Sequence, residues 1–272
     1  MKQIFRLIAL CCISLSTASL SAADTVVEIK TNMGTMKIRL YGDVPGHAHA
    51  FARRVGQGLF NGTLFTRVIP GFMIQGGAPD SRNASPGART GFGDPGAEIM
   101  PEFNSKYFHK KGVLAAPRQD VSVNPQKKSD MSQFFIVQGK IFTSGQLDTL
   151  ELAANRLIRR KAMEEFYHPV KAQMDSLLDA DRQAYNRHVT VINAKVDSMI
   201  RATPGHLIFT PEQREAYTTA GGSPHLDGEY TIYGEMTEGF DVLDAIAARP
   251  RDAYDRPLKD IRIVSIQIIS SE

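Results

Sequence analysis

The stretch FTRVIPGFMIQGG, residues 65–77, decides how this chain folds. Two apolar runs lie on either side of Pro70-Gly71, a pair that is typical of a turn between two strands. Each run also contains a polar side chain, Arg67 in the first and Gln75 in the second. A buried amide without a partner costs free energy, so Gln75 is not simple core filler. The stretch therefore predicts two short apolar segments separated by a turn, with a cation in the first and an amide in the second.

The sequence on either side of this stretch is built from short β segments. A hairpin is predicted over residues 26–40, because apolar residues recur at every second position around Asn32-Met33-Gly34. The other predicted elements are a helix over residues 46–56, buried strands over 112–116 and 132–137, a strand over 230–233, a helix over 240–248 and an alternating strand over 261–268. Short strands with two flanking helices favour a mainly β fold, a closed antiparallel barrel interrupted by an α-helical insertion.

The insertion is predicted from a change of periodicity. Between residues 144 and 202 the apolar residues recur every three or four positions, as in Phe166, Val170 and Met174, which is helical spacing. A further short helix is predicted to begin with a capping box over residues 210–213. If the stripe containing Phe166, Val170 and Met174 is exposed, it favours binding of a client protein. If it is buried, its role is structural.

The first residues resemble a secretory signal peptide. Lys2 and Arg6 precede an apolar run over residues 7–15, and small residues follow up to Ala23. The run is too short for a membrane-spanning helix, which needs about 20 apolar residues. We expect cleavage after Ala23, and no stable membrane insertion of the mature protein. The predicted divisions are a signal peptide (1–23), a first barrel segment (24–142), the helical insertion (143–218) and a second barrel segment (219–272).

Export and composition limit the chemistry of the mature chain. Both cysteines, Cys11 and Cys12, lie in the predicted signal peptide, so no disulfide and no cysteine nucleophile is expected after cleavage. We expect a periplasmic protein, with full secretion as the alternative. The formal net charge of +3 does not favour nucleic acid as a partner. No cofactor is expected, and we predict no metal site: the pair His47 and His49 is expected on a solvated helix face.

Three blocks of the sequence resemble the cyclophilin family of peptidyl-prolyl cis/trans isomerases. Residues 65–77 are similar to the signature of that family, Ser132-Gln133-Phe134-Phe135-Ile136 to its second block, and Leu226-Asp227-Gly228 with Tyr233-Gly234-Glu235 to its third. The blocks occur in family order and the resemblance covers about residues 26–139 and 221–268. It implies an eight-stranded barrel and an enzyme that acts on proline-containing polypeptides without a cofactor.

The resemblance also assigns site residues. It implies that Arg67, Gln75 and Phe72 are catalytic and that Met73, Phe135 and Leu226 complete, with Phe72, an apolar socket for the proline ring. Gln75 and Gln133 would hold the arginine and the carbonyl side of the substrate, and backbone groups around Arg118 would pin the residue before proline. The remaining predicted substrate-binding residues are Pro117, His225 and Tyr230.

A physical role for Arg67 can be argued directly. Amide resonance sets a barrier of about 18 to 20 kcal/mol to rotation of an X-Pro bond. In the twisted state the prolyl nitrogen gains a lone pair, to which a permanently charged guanidinium can donate. A rate gain of about 10⁵ requires roughly 7 kcal/mol of differential stabilisation.

Several residues depart from the family pattern at the edge of the pocket. Pro117-Arg118 stands where many cyclophilins have Ala-Asn, and His225 stands where drug-sensitive members have tryptophan. Weak cyclosporin binding is therefore expected. Tyr230 replaces the usual pocket histidine, and Thr66 the histidine before the arginine. His225 is interpreted as a side chain that packs at the rim, with a general base or a pH switch as the alternative.

Two functions are consistent with these features. The first is isomerisation of X-Pro bonds in exported proteins, which assists their folding. The second is a periplasmic chaperone or protein-binding module that uses the insertion to hold a client or partner, with weak or no isomerase activity.

Overall fold

The computed structural model describes residues 25–270. The predicted signal peptide, both cysteines and the predicted cleavage site lie outside these residues. The described chain forms ten strands and seven α-helices. The strands are β1 (Val26–Thr31), β2 (Gly34–Leu40), β3 (Phe65–Ile69), β4 (Met73–Gly76), β5 (Glu98–Ile99), β6 (Val113–Ala115), β7 (Ser129–Asp130), β8 (Phe134–Val137), β9 (Ile232–Glu238) and β10 (Ile263–Ser270). The helices are α1 (Pro45–Gly56), α2 (Ser144–Ala154), α3 (Arg156–Phe166), α4 (Lys171–Ala180), α5 (Arg182–Ala202), α6 (Pro211–Thr219) and α7 (Phe240–Ala247).

Eight of the strands form one curled antiparallel sheet, in the order β10-β1-β2-β9-β6-β8-β4-β3. Its two outer strands, β3 and β10, approach each other where each begins. There Leu64 pairs with Arg262, and the amide of Phe65 donates to the carbonyl of Ile261 at 2.9 Å. The mainly β fold predicted from the alternating strands is confirmed.

A continuous apolar core lies between the sheet and the helices α1 and α7. Phe134 is at its centre, with its ring 5.7 Å from that of Phe51, 5.5 Å from that of Phe60 and 6.1 Å from that of Phe65. Residues from β1, β2, β6, β8 and β9 complete this core. The strands next to the core therefore form a rigid support.

The expectation that His47 lies on a solvated face is wrong. His47 is fully buried at the start of α1, where its Nδ1 lies 2.5 Å from Glu102 and its Nε2 lies 2.9 Å from the hydroxyl of Ser129. Glu102 also accepts the amide N–H groups of Gly46 and His47, at 3.0 and 2.8 Å, and so caps the helix. Burial lowers the pKa of His47 although the carboxylate opposes the shift.

The helices α2 to α6 lie between β8 and β9 in sequence and have two small cores of their own. The base of this region packs Leu147, Phe209 and Tyr217 against Phe108, next to the sheet. The predicted capping box is present: the hydroxyl of Thr210 accepts from the amide of Gln213 at 3.1 Å.

We call α3 to α5 the helical tip. Its core contains Met174, Ile192 and Val196, and Phe166 and Val170 pack against it partly buried. The predicted apolar stripe is therefore buried between helices, which makes it structural. No helix within residues 25–270 is both long and apolar enough to span a membrane.

Candidate active site

The strand register brings the predicted site residues together. Arg67 on β3 lies directly opposite Gln75 on β4, and Gln75 lies opposite Phe135 on β8. Directly opposed residues of antiparallel strands project from the same face of a sheet. The three side chains therefore form one row, and Met73 joins that face because it stands two positions before Gln75 on the same strand.

The turn between β3 and β4 places Phe72 beside this row. Gly71 has a φ of 73°, in the left-handed region that glycine adopts without steric cost. The carbonyl of Phe72 accepts the amides of Gln138 and Gly139, at 3.0 and 2.9 Å. These two bonds fix the turn to the chain that follows β8.

A cavity of about 260 Å³ opens at this face of the sheet. Its floor is apolar and well buried, with Met73 2%, Phe135 4% and Leu226 5% exposed. The cavity is lined by nine of the eleven predicted site residues: Arg67, Phe72, Met73, Gln75, Pro117, Arg118, Phe135, Leu226 and Tyr230. A larger cavity of about 410 Å³ lies at the β1–β2 turn and contains none of the predicted residues.

The two amides form a hydrogen-bonded chain next to the cavity. Gln75 donates from Nε2 to Oε1 of Gln133 at 3.0 Å, and Gln133 donates to Oδ2 of Asp130 at 3.0 Å and to the carbonyl of Gly91 at 3.3 Å. Within residues 25–270, Gln75 has no hydrogen bond to Arg67. The resemblance implied that the two amides hold the arginine. For Gln75, no hydrogen bond to Arg67 within these residues matches that role.

Arg67 instead forms an ion pair with a residue that the sequence analysis did not identify. Its side chain is 47% exposed, and its Nε lies 3.5 Å from Oδ2 of Asp255. Asp255 precedes Arg256-Pro257 in the loop before β10, and only the folded chain brings it to β3. Nothing in the local sequence distinguishes this aspartate from other loop aspartates.

Arg118 and Tyr230 form one edge of the cavity. The guanidinium carbon of Arg118 lies 4.6 Å from the centre of the Tyr230 ring, and the ring of Tyr230 meets that of Phe135 edge-on at 5.7 Å. Arg118 donates to the carbonyl and the carboxylate of Glu229, both at 2.9 Å. These contacts hold the Arg118 side chain against the rim. Pro117 lacks an N–H, and its carbonyl accepts the amide of Asp130 at 2.8 Å.

His225 and Gln133 are the two predicted residues outside the cavity lining. The ring of His225 packs on that of Phe72 with centres 5.3 Å apart. Burial lowers the pKa of His225, and the neighbouring His109 lowers it further. Gln133 lines an adjoining depression of about 130 Å³, which shares Gln75, Pro117 and Arg118 with the main cavity.

A buried network supports the cavity floor from behind. The ring of His109 is stacked on that of Phe135, with centres 6.3 Å apart, and its Nδ1 lies 2.9 Å from Oδ1 of Asp227. The second oxygen of Asp227 accepts the hydroxyl of Tyr217, on α6, at 2.5 Å. Burial lowers the pKa of His109 and raises that of Tyr217. The third sequence block contains Asp227, but gave no signal of its partners.

The side chains that line the cavity are mainly apolar, with two cations and one amide among them. Within the described residues, no three His, Cys, Asp or Glu side chains form a group that could hold a metal ion. What the cavity offers is an apolar socket, a cation on one wall and fixed amides beside it, an arrangement suited to holding a small apolar ring next to a polarisable bond.

Comparison with known proteins identifies the class. The family model described as "Cyclophilin type peptidyl-prolyl cis-trans isomerase" matches residues 26–155 and 212–268. The chain therefore belongs to the cyclophilin-type peptidyl-prolyl cis-trans isomerases. Enzymes of this class rotate X-Pro bonds, so proline-containing polypeptides are its substrates. The unmatched residues 156–211 include the whole helical tip.

Individual relatives agree with this assignment. A "Putative peptidyl-prolyl cis-trans isomerase" of Staphylococcus saprophyticus is 28% identical over 240 residues, which cover 88% of this chain and 89% of the relative. A peptidyl-prolyl cis-trans isomerase of Acinetobacter baylyi is 38% identical over 115 residues, 42% of this chain and 55% of that protein.

A solved structure supports the fold alone. The cyclophilin-type isomerase of Cryptosporidium parvum, crystallised in the presence of the dipeptide Ala-Pro, gives a TM-score of 0.50 at 20% identity. The match covers 90% of this chain and 99% of that one.

Proposed function

We propose that this isomerase holds the proline ring of an exported polypeptide in the apolar cavity while Arg67 stabilises the twisted X-Pro amide. One observation carries the proposal: Arg67 lines the same cavity of about 260 Å³ as the buried socket of Met73, Phe135 and Leu226. In the proposal, a ring fixed in the socket has its nitrogen beside the guanidinium.

The chemistry needs neither a covalent intermediate nor a proton transfer. Rotation removes the conjugation of the amide, the prolyl nitrogen becomes pyramidal, and an N–H of Arg67 donates to its lone pair. Because the guanidinium stays protonated throughout, its field is present before the bond twists. The uncatalysed rotation takes about 10 to 100 s. His225 is not required as a base, and its packing on Phe72 favours a role in shaping the socket.

The amides extend the site along the polypeptide. Gln133 is 4% exposed and is held by Asp130, so its orientation is fixed before substrate arrives. Gln75 donates to it and borders both the main cavity and the adjoining depression. In the proposal these two side chains align the backbone that flanks the proline, and the Arg118–Tyr230 edge closes the other side.

The test is exchange between the cis and trans forms of a short X-Pro peptide, followed by NMR. The wild-type protein is expected to accelerate exchange, and Arg67→Ala to lower kcat/KM by about tenfold or more, which corresponds to about 1.4 kcal/mol or more of lost transition-state stabilisation. The matched control is Arg160→Ala on α3, where the side chain is 69% exposed and remote from the cavity lining. Equal exchange with wild type and Arg67→Ala would remove the arginine from the mechanism.

Export is proposed from the sequence of residues 1–23, which combines two cations, a short apolar run and small residues before Asp24. Expression in a Gram-negative bacterium should give a periplasmic protein whose first residue is Asp24. Leu10→Arg, which interrupts the apolar run, should leave the uncut chain in the cytoplasm. An uncut wild-type chain in the cytoplasm would contradict the proposal.

Client binding by the helical tip is the second candidate function. The stripe containing Phe166 is buried, so it does not support this role. The observation that favours it is a different set of exposed side chains, with Leu157 57% and Val191 54% exposed on α3 and α5. Exposed aliphatic side chains suit weak binding of unfolded chains where they form a continuous apolar patch, and the substitutions of Leu157 and Val191 described in the Discussion test this.

A further inference from the structure

The loop between α7 and β10 is organised around Asp252 and Arg256. Asp252 accepts the amides of Tyr254 and Arg256 on its side chain, at 2.8 and 3.0 Å, and its carbonyl accepts the amide of Asp255 at 3.1 Å. Arg256 is 4% exposed and pairs with Asp260 at 2.8 Å. These bonds fix the backbone on both sides of Asp255.

Asp255 contacts β3, the strand that contains Arg67, through both its backbone and its side chain. Its carbonyl accepts the amide of Val68 at 2.8 Å, which joins the loop to β3. Its carboxylate lies between two cations, with Oδ2 3.5 Å from Nε of Arg67 and Oδ1 2.9 Å from Nε of Arg251. Within the described residues 25–270, no other carboxylate lies within ion-pair distance of Arg67.

The backbone of Asp255 is unusual. Its φ of 65° lies in the left-handed region, which residues with a Cβ seldom adopt. Aspartate and asparagine tolerate this conformation better than most residues, but glycine does so without cost. An aspartate at such a position, beside the cation of an active site, suggests that its side chain has a use.

We propose that Asp255 is a positioning residue for Arg67, an inference that rests on the proposed role of Arg67. The carboxylate holds the Nε edge of the guanidinium and leaves the two terminal nitrogens to the cavity that Arg67 lines. An arginine side chain that is half exposed otherwise samples many rotamers. Arg251 also binds the carboxylate of Asp255. The two arginines and the aspartate together therefore keep a net positive charge, which preserves the positive electrostatic field at the prolyl nitrogen.

The experiment compares Asp255→Asn with wild type in the NMR peptide-exchange assay. Asparagine has the same shape and tolerates the left-handed backbone but lacks the charge. We expect kcat to fall about tenfold, because a misplaced catalytic group loses rate steeply, while the Kd for the peptide changes less than about twofold. Asp175→Asn, an exposed aspartate paired with Lys171 on α4, is the matched control and should not change either quantity.

Two further readouts separate positioning from a general structural role. In the Arg67→Ala background, assayed at higher enzyme concentration, Asp255→Asn should cause no additional loss, because its effect passes through the arginine. The ¹H–¹⁵N signal of the Arg67 Nε–H should shift in Asp255→Asn, and not in Asp175→Asn. If asparagine impairs folding, Asp255→Gly replaces it, since glycine accepts the backbone conformation and keeps the carbonyl bond to Val68.

The outcomes are distinct for the two proposals. Wild-type kcat in Asp255→Asn, an unchanged Arg67 Nε–H signal, or an equal loss in the Arg67→Ala background would each overturn the role of Asp255. If Arg67→Ala itself retains full activity, the proposed function of Arg67 fails independently of Asp255.

Discussion

The sheet region and the helical tip differ in how their side chains are buried. The sheet encloses one continuous core in which Phe134 is fully buried among other rings, whereas the tip has a small core in which five residues are buried: Ala162, Met174, Ile192, Val196 and Ile200. The proposed catalytic row stands on strands of the larger core. The exposed aliphatic side chains of the tip stand on helices with little burial. Precise positioning is thus found where packing is dense, and accessible apolar surface where it is sparse.

Matched core truncations should give the largest difference between the two regions. Phe134→Ala is expected to lower the free energy of unfolding by about 3 to 5 kcal/mol, because a buried ring leaves a cavity among rigid neighbours. It should also lower peptide-exchange activity, since Gln133 and Phe135 flank it. Met174→Ala should cost about 2 kcal/mol and leave activity unchanged. Urea unfolding and peptide exchange measure both effects, and a similar loss of activity in Met174→Ala would show that the tip and the cavity are coupled.

The sequence predicts best what is decided locally. Alternation and turn residues identified the segments around residues 65–77, and the family resemblance assigned Arg67, Gln75 and Met73 to the site. The strand register then places these residues on one face. Long-range contacts left no such signal. His47 was interpreted as solvated because it and His49 are two residues apart and point to different faces of the predicted helix, yet the carboxylate that contacts it, Glu102, comes from a segment 55 residues away.

The same limit applies to the residues around the cavity. The sequence of the loop before β10 does not indicate that Asp255 reaches Arg67, because that contact depends on how the sheet curls. Likewise, a short helix was predicted to begin at residues 210–213, but the bond of Tyr217 to Asp227 follows from the way α6 packs beside the sheet. Such contacts depend on the packing of distant segments, which periodicity does not encode.

Tyr217 offers a way to test the junction between the helical region and the cavity. Tyr217→Phe removes the hydroxyl that donates to Asp227, and should lower the free energy of unfolding by about 1.5 to 3 kcal/mol, the usual range for a hydrogen bond to a charged group. Tyr185→Phe, at a partly buried tyrosine of the tip, is the control and should cost less. Peptide exchange should fall less than twofold, since His109 still binds Asp227. Equal stability of the two variants would show that the junction contributes little.

Two buried histidines predict a smaller effect of pH. Burial lowers the pKa values of His47 and His109 below 6.5, so the folded protein binds fewer protons than the unfolded chain as pH falls through that value. Stability should therefore decrease between pH 6.5 and 5.5, by at most about 1.4 kcal/mol for each histidine. Urea unfolding at pH 7.5 and 5.5 measures the decrease. His109→Gln should reduce it, and a stability that is independent of pH in this range would show that the histidines are not neutral in the folded state.

Removal of the tip should have the smallest effect on peptide exchange. The side chain of Asn155 binds both the amide and the carbonyl of Leu207, at 2.9 and 2.6 Å, so a short Gly-Ser linker can replace residues 156–206. Ile208 should be changed to Ser in this variant, because it packs on the tip core and would become exposed. Exchange is expected to remain within about twofold of wild type, since the tip contributes no residue to the cavity lining. Loss of peptide activity in the folded deletion variant would contradict the independence of the two regions.

The same variant distinguishes the two candidate functions when the substrate is a protein whose refolding is limited by proline isomerisation. If the tip binds clients, acceleration of refolding should fall several-fold although peptide exchange is preserved. The double substitution Leu157→Ser and Val191→Ser, which removes exposed apolar groups and keeps the helices, should reproduce part of that loss. If both variants accelerate refolding as well as wild type, client binding by these side chains is excluded. The socket and Arg67 then account for the activity alone, because a polypeptide needs only its proline and flanking backbone to be held.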